Sequence, residues 1–322
     1  MAETKSEQNE ISIIDRCKYA FLCFFVAVSI AMAYLSLHIM PSIAQDVSSN
    51  FYSLLIGISI PLLVYAIAKK ATQSTAGALF ASALSAPIQI YTWKTVSQLT
   101  HTLAVILFLL TILAFLYLKE IDWRLAVLLP IIFAFVHIYA LAMIPIYLLY
   151  MLFVKLEQRE ISQAELYFMI ISSAFILGVF TLFQATPALL LIVKEYAVTH
   201  YYSIAAEKVV LHTAFIIAGA LPIYLGFFGA YESLIKKRKS AYVLLACMLI
   251  FLLAMLFNII PAALATPYFT LVLAGLSGFL YKELHEWLRT TRFKKHLNSI
   301  FIISSAVVLA LGILHRIIFM SA

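Results

Sequence analysis

Residues 125–154 read LAVLLPIIFAFVHIYALAMIPIYLLYMLFV, a stretch with one histidine and no charged side chain. A helix of roughly 20 apolar residues crosses the ~30 Å hydrocarbon layer of a bilayer. The stretch is therefore long for one crossing and short for two. It forms either one long helix or two short helices that reverse near His137. The choice fixes the side of the membrane on which every later segment lies.

The distribution of basic residues decides between these two topologies. With the N-terminus inside and eleven crossings, 18 of the 22 Lys and Arg lie inside, as the positive-inside rule expects. Outside remain Lys94, Lys194, Lys208 and Arg316. One long helix over 125–154 would leave only 10 bases inside, and the bias would vanish. We therefore predict a reversal near His137, with its turn buried in protein rather than facing lipid.

Apolar segments cover almost the whole chain. Hydrophobic residues make up 64% of the 322 positions and charged residues 11%, which is more apolar surface than a soluble domain buries. We predict an all-α, polytopic transmembrane helix bundle in the cell membrane, with a cytoplasmic N-terminus. The eleven predicted spans are 19–40, 51–68, 76–93, 101–118, 125–136, 138–154, 166–184, 209–230, 241–258, 262–281 and 298–319.

The whole chain, 1–322, is predicted to be a single integral membrane domain. The polar residues 1–15 are expected to form a cytoplasmic tail, and 185–208 mixes apolar and polar positions like an external amphipathic segment. Residues 282–297 alternate in charge around a tryptophan, as expected of a cytoplasmic surface segment near anionic headgroups. The net charge of +7 lies at span ends, so it predicts contact with membrane lipids and no nucleic-acid binding.

Asp46 is the first candidate for chemistry. It follows the first predicted span and lies on the predicted outer face. A carboxylate there can take a proton from an acceptor hydroxyl or bind a divalent ion. The alternative is structural, because Asp46, like Ser48 and Asn50 after it, is a good N-cap for the second span. Both hypotheses stay open.

Other polar residues on the predicted outer face are candidates for substrate binding. A neutral histidine at a membrane surface can bind a phosphate oxygen, ligate a metal or shuttle a proton, and an arginine can pair with a lipid phosphate. No spacing matches a zinc motif, so a divalent metal ion is a candidate cofactor without an assigned ligand set. For each residue the alternative is a solvated loop or an internally satisfied side chain. The candidates are Lys94, His101, His137, Glu195, His200, Glu207 and Arg316.

Four segments between about 40 and 155 carry a family resemblance. They are LLIGISIPLLVYAIAKK (54–70), AGALFASALSAPIQIYTW (76–93), residues 102–117, and FAFVHIYALAMIPIYLLYML (133–152). The first resembles a second helix that runs into a basic turn, and the second a small-residue helix with a proline break. The last resembles an element of short helix, histidine and short helix. Together they resemble the membrane half of the GT-C class of polyprenyl-phosphate-sugar-dependent glycosyltransferases.

The resemblance implies a transferase that takes a sugar from a lipid-linked donor on the external face. In that class an acidic residue of the first external loop is the catalytic base or a metal ligand, and Asp46 occupies that place here. Two other hypotheses stay open. One is a non-catalytic multi-span subunit of a membrane protein complex. The other is a lipid or solute transporter, although ion-coupled carriers usually place ionisable groups at mid-membrane, where this sequence has almost none.

Overall fold

The computed structural model describes residues 13–39, 47–88, 99–184, 220–257, 259–260 and 262–320. Those ranges are helical apart from short turns, and they contain no β-strand. The all-α prediction is confirmed. The helices are α1 Ile13–Ile39, α2 Val47–Thr72, α3 Thr75–Ser85, α4 Leu99–Leu116, α5 Leu128–Val136, α6 Met143–Leu156, α7 Gln163–Val179, α8 Ala220–Ile235, α9 Tyr242–Leu256, α10 Ala262–Thr290 and α11 Leu297–Met320.

Every predicted span overlaps one of these helices. Five segments of the described ranges are long and apolar enough to cross a membrane: Ile138–Leu156, Gln163–Leu182, Lys239–Leu256, Leu264–Thr290 and Arg292–His315. These lengths and compositions indicate a membrane protein. The tenth predicted span ends at 281, but α10 continues to Thr290. The predicted surface segment 282–297 therefore holds the last turns of α10 and a 3-10 turn, Arg292–His296.

The reversal predicted near His137 is confirmed. A single helical turn, Trp123–Ala126, leads into α5, and the Trp123 ring lies 5.6 Å from that of Tyr167. After the reversal, the Tyr150 hydroxyl donates a hydrogen bond to Glu165 at 3.1 Å. Glu165 and Tyr167 both belong to the start of α7, so the chain leaves and returns to the same end of the bundle. Residues 123–136 span only about 21 Å, less than one full crossing.

Helix α10 forms the centre of the bundle and is buried along most of its length. Small residues let its neighbours approach its backbone closely. A Cβ added at Gly77 of α3 would lie 2.4 Å from the Gly278 carbonyl oxygen of α10. A Cβ at Gly229 of α8 would lie 2.0 Å from the Leu276 carbonyl oxygen. Any larger side chain at these two glycines would push α3 or α8 away from α10.

The connections that carry the inside-predicted bases meet at one end of the bundle, which we term the charged end. Ser240 Oγ donates a hydrogen bond to the Ala71 carbonyl at 2.7 Å, and Lys282 Nζ donates to the Thr72 carbonyl at 2.9 Å. His137 lies at the other end of α5 and α6, which we term the opposite end. The connections at the charged end are 73–74, 117–122, 157–162, 236–241 and 291–296.

Candidate functional site

The structure describes only part of the predicted external site. His101 lies in the first turn of α4 and Arg316 near the last turn of α11, both at the opposite end by helix direction. His137 is also at that end, between α5 and α6. The predicted site residues Asp46, Lys94, Glu195, His200 and Glu207 lie outside the described residues, as does the whole predicted amphipathic segment 185–208.

His137 ends α5 because its backbone leaves the helical conformation (φ −153°, ψ 139°). Its N–H still donates to the Phe133 carbonyl at 2.9 Å, and its own carbonyl accepts from the Ala140 N–H at 3.1 Å. The ring caps the following 3-10 turn, Ile138–Ala142, because Nδ1 accepts the Tyr139 N–H at 3.2 Å. The histidine therefore holds the two short helices in their reversed arrangement.

This backbone contact also fixes the chemistry of the His137 ring. Since Nδ1 accepts a backbone N–H, the neutral imidazole carries its proton on Nε2. The residue is 9% exposed, so its imidazole lies within the protein rather than in the lipid or in bulk solvent. The ring already has interactions within the protein, and an imidazole N–H is a donor type that also binds oxygen atoms of phosphate and hydroxyl groups.

An aromatic cluster extends from His137 into the bundle. The ring centroids of His137 and Tyr139 are 4.4 Å apart, and those of Tyr139 and Tyr268 are 5.8 Å apart. Tyr268 stacks on Phe251 at 5.0 Å and meets Phe108 edge-on at 5.1 Å. The cluster joins the reversal to α4, α9 and the central helix α10. A displacement of His137 would therefore disturb the packing of all three helices.

Tyr268 is a residue that sequence reasoning missed. Its hydroxyl is fully buried and has no hydrogen-bond partner among the residues that the structure describes. A buried hydroxyl without a partner costs about 1–3 kcal/mol, so such a group is a candidate to receive a bound polar ligand. The only signal in the sequence is the neighbouring Pro267, because a tyrosine in an apolar run otherwise resembles ordinary packing.

The described residues give no support for a metal site. Within the described ranges, no group of three or more His, Cys, Asp or Glu side chains is placed to hold a metal ion. Several of the predicted acids and histidines lie outside those ranges. The divalent ion therefore stays a prediction from the sequence.

The charged end contains a second set of polar residues that the sequence did not predict. Glu165 opens α7 in a capping box with Ser162, whose N–H it accepts at 2.8 Å. The same carboxylate accepts from the Tyr150 hydroxyl at 3.1 Å and from Lys239 Nζ at 2.8 Å. Lys239 also donates to the Glu160 carbonyl at 2.8 Å. The S-x-x-E pattern signals the capping box, but not the arrival of Lys239.

The three bases that precede Lys239 in the sequence also form ion pairs with carboxylates. Lys236 and Arg238 both pair with Glu283 of α10, and Lys237 pairs with Glu157 at 2.8 Å. The hydrogen bond from Lys237 to Glu157 raises the pKa of the lysine above its ordinary value. We call these four residues the paired cluster: Lys236, Lys237, Arg238 and Lys239.

Four further bases at the charged end have a different environment. All four are exposed, and no carboxylate of the described residues lies within ion-pair distance of any of them. They lie at the end of α10 and in the turn before α11. We call them the open cluster: Arg289, Arg292, Lys294 and Lys295.

Comparison with known proteins gives no relative. No model of a protein family matches the chain, and neither a curated protein nor a solved structure matches it.

Proposed function

We propose that this chain is a multi-pass membrane glycosyltransferase of GT-C type, which transfers a sugar from a polyprenyl-phosphate-linked donor at the opposite end of the bundle. The observation that carries the proposal is the reversal at His137. It buries an imidazole with a defined donor nitrogen between two short helices, at the end where the predicted outer-face residues belong. In this proposal the helices α1 to α11 of the described residues, including the short α5 and α6, cross or re-enter the membrane.

The proposed reaction breaks one bond at the anomeric carbon of the donor sugar and forms another. An acceptor hydroxyl oxygen attacks that carbon while Asp46 takes the hydroxyl proton. The bond between the anomeric carbon and the phosphate oxygen breaks, and the polyprenyl phosphate leaves with the bonding electron pair. His137 or Lys94 stabilises the negative charge on the leaving phosphate by a hydrogen bond. His101, Glu195, His200, Glu207 and Arg316 contribute to binding the donor and the acceptor.

The aromatic cluster supports a binding role for this end of the molecule. The Tyr268 ring contacts the Tyr139 ring, which in turn contacts His137, and the Tyr268 hydroxyl has no hydrogen-bond partner in the described part of the chain. Sugar hydroxyls and phosphate oxygens are suitable partners for it.

The experiment is an Asp46→Asn substitution assayed for sugar transfer. Native membranes that contain the full chain are supplied with polyprenyl-phosphate mannose or glucose carrying a tritiated sugar, and transfer to membrane acceptors is measured. We expect the substitution to lower transfer by about 10²-fold or more, because the general base is lost. The control is Asp122→Asn at the charged end, which keeps a good N-cap and should transfer like wild type.

Two results would reject the proposal. One is undiminished transfer by the Asp46→Asn chain. The other is labelling of cysteines introduced at positions 46 and 137 from opposite sides of the membrane, since the residues could then share no site. A wild-type chain without transfer that purifies with a stoichiometric membrane partner would favour the non-catalytic subunit instead.

A further inference from the structure

The open cluster concentrates positive charge on a short stretch of the charged end. Its four bases fall within seven positions, Arg289 to Lys295. Among the acids of the same region, Glu283 binds two bases of the paired cluster, the half-exposed Glu286 lies 3.6 Å from Lys282, and Asp15 lies close enough to His285 to interact with it electrostatically. The positive charge of the open cluster is therefore left without a counterion from the described part of the protein.

Exposed aromatic side chains lie among these bases. Trp287 is 58% exposed and Phe293 is 47% exposed, whereas Leu288 between them is buried against the bundle. Bulky aromatic side chains combined with Lys and Arg are typical of the boundary between hydrocarbon and headgroups. Exposed rings beside bases also occur in nucleic-acid and protein interfaces, and it is the apolar surface of α11 next to the cluster that favours a lipid partner here.

The helix that follows the open cluster has an apolar surface facing outward. Ile303, Val307 and Leu314 of α11 are each about half exposed, and Arg292–His315 is apolar enough to span a membrane. The first exposed apolar residues of this surface, Ile302 and Ile303, lie about two helical turns after Lys295, the last base of the cluster. The open cluster thus sits where the headgroups of the lipids around α11 must lie.

We propose that the open cluster, together with Trp287 and Phe293, is a binding surface for anionic lipid headgroups. The bases bind headgroup phosphates, and the two rings insert at the level of the headgroups and anchor this corner of the bundle. Each base near an anionic bilayer surface contributes about fivefold to the attraction, so four together favour anionic over zwitterionic lipids. The proposal rests on placement in a membrane and not on sugar transfer.

The experiment compares lipid selection by the full chain in vesicles. The protein is reconstituted into phosphatidylcholine, and the association of spin-labelled phosphatidylglycerol is measured against that of spin-labelled phosphatidylcholine. We expect wild type to prefer phosphatidylglycerol, and the variant R289Q/R292Q/K294Q/K295Q to lose at least about fivefold of that preference. Molar salt should abolish the preference, because it shortens the Debye length to about 3 Å.

A second variant separates a defined site from diffuse attraction. K119Q/R124Q/K155Q/R159Q removes the same number of exposed bases from the charged end, and none of these bases forms an ion pair within the described ranges. We expect it to keep most of the wild-type preference. Equal losses in the two variants, or none in the open-cluster variant, would overturn the proposal.

Trp287 itself reports on the predicted insertion. The chain has three tryptophans, so W93F/W123F leaves Trp287 as the only one. Its fluorescence should be quenched more strongly by brominated phosphatidylglycerol than by brominated phosphatidylcholine, and the difference should disappear when the four open-cluster bases are also replaced. Equal quenching by the two brominated lipids counts against the proposal even if the protein is well folded.

Discussion

The paired cluster and the open cluster carry the same charge at the same end of the bundle, but their surroundings differ. Each base of the paired cluster reaches a carboxylate on another part of the chain, so these bases tie connections together. The open cluster has no such carboxylate within the described ranges and lies among exposed rings. The positive-inside rule predicts the same side for both clusters, but the paired cluster connects parts of the protein and the open cluster faces its surroundings.

The largest expected effect is the loss of Lys239 from the paired cluster. Lys239→Gln leaves the mostly buried Glu165 carboxylate without its cation and should lower the free energy of unfolding by about 2–3 kcal/mol. The matched change in the open cluster, Lys294→Gln, should alter it by less than about 0.5 kcal/mol. Equilibrium unfolding in detergent micelles measures both. Equal destabilisation by the two substitutions would remove the distinction between the clusters.

A smaller effect is expected from Glu283, which serves two bases of the paired cluster. Glu283→Gln should cost about 1 kcal/mol, since Arg238 loses its partner and the exposed Lys236 adds little. Glu286→Gln is the control, because Glu286 is exposed and lies 3.6 Å from its only described ion-pair partner; its effect should stay below about 0.5 kcal/mol.

The Glu283 substitution also tests whether a paired base can become a lipid-binding one. Lys236 and Arg238 would lose their carboxylate and resemble the open cluster, so the preference for phosphatidylglycerol should rise above that of wild type. If the preference stays unchanged while stability falls, position on the bundle rather than pairing decides which bases meet lipid.

The sequence predicted the helices and the reversal because both follow from one-dimensional patterns. Apolar runs locate the helices, and the positive-inside rule applied to the bases predicts that the chain turns back at His137. It did not predict that α10 continues past residue 281, because the charged residues there resemble the end of a span. In the structure Lys282 donates to the last residue of α2 and Glu283 pairs with bases of the 236–241 connection, and the helix continues.

The polar contacts depend on proximity that no local pattern encodes. Lys239 and Glu165 are 74 positions apart and meet only because α7 and the turn before α9 share an end of the bundle. In the sequence Tyr268 resembles core packing, and only the structure shows that its ring contacts Tyr139, the neighbour of the His137 ring. His137, in contrast, interrupts a long apolar stretch, and a polar interruption of that kind is visible in the sequence.

The smallest effect is expected from Lys237, the most exposed member of the paired cluster. Its pair with Glu157 is open to solvent, so the coupling between K237Q and E157Q in a double-mutant cycle should be barely measurable at neutral pH. The direction in which the stabilisation by this pair changes with pH nevertheless follows from the pKa shift of Lys237. Because Glu157 raises the pKa of Lys237, the pair stabilises the fold below the ordinary lysine pKa of 10.5, and the stabilisation is lost as pH rises through the higher folded-state pKa. A cycle of K294Q with E157Q should show no coupling at any pH. A coupling that grows as pH rises would contradict an ion pair between Lys237 and Glu157, and the paired cluster would then lose one of its four members.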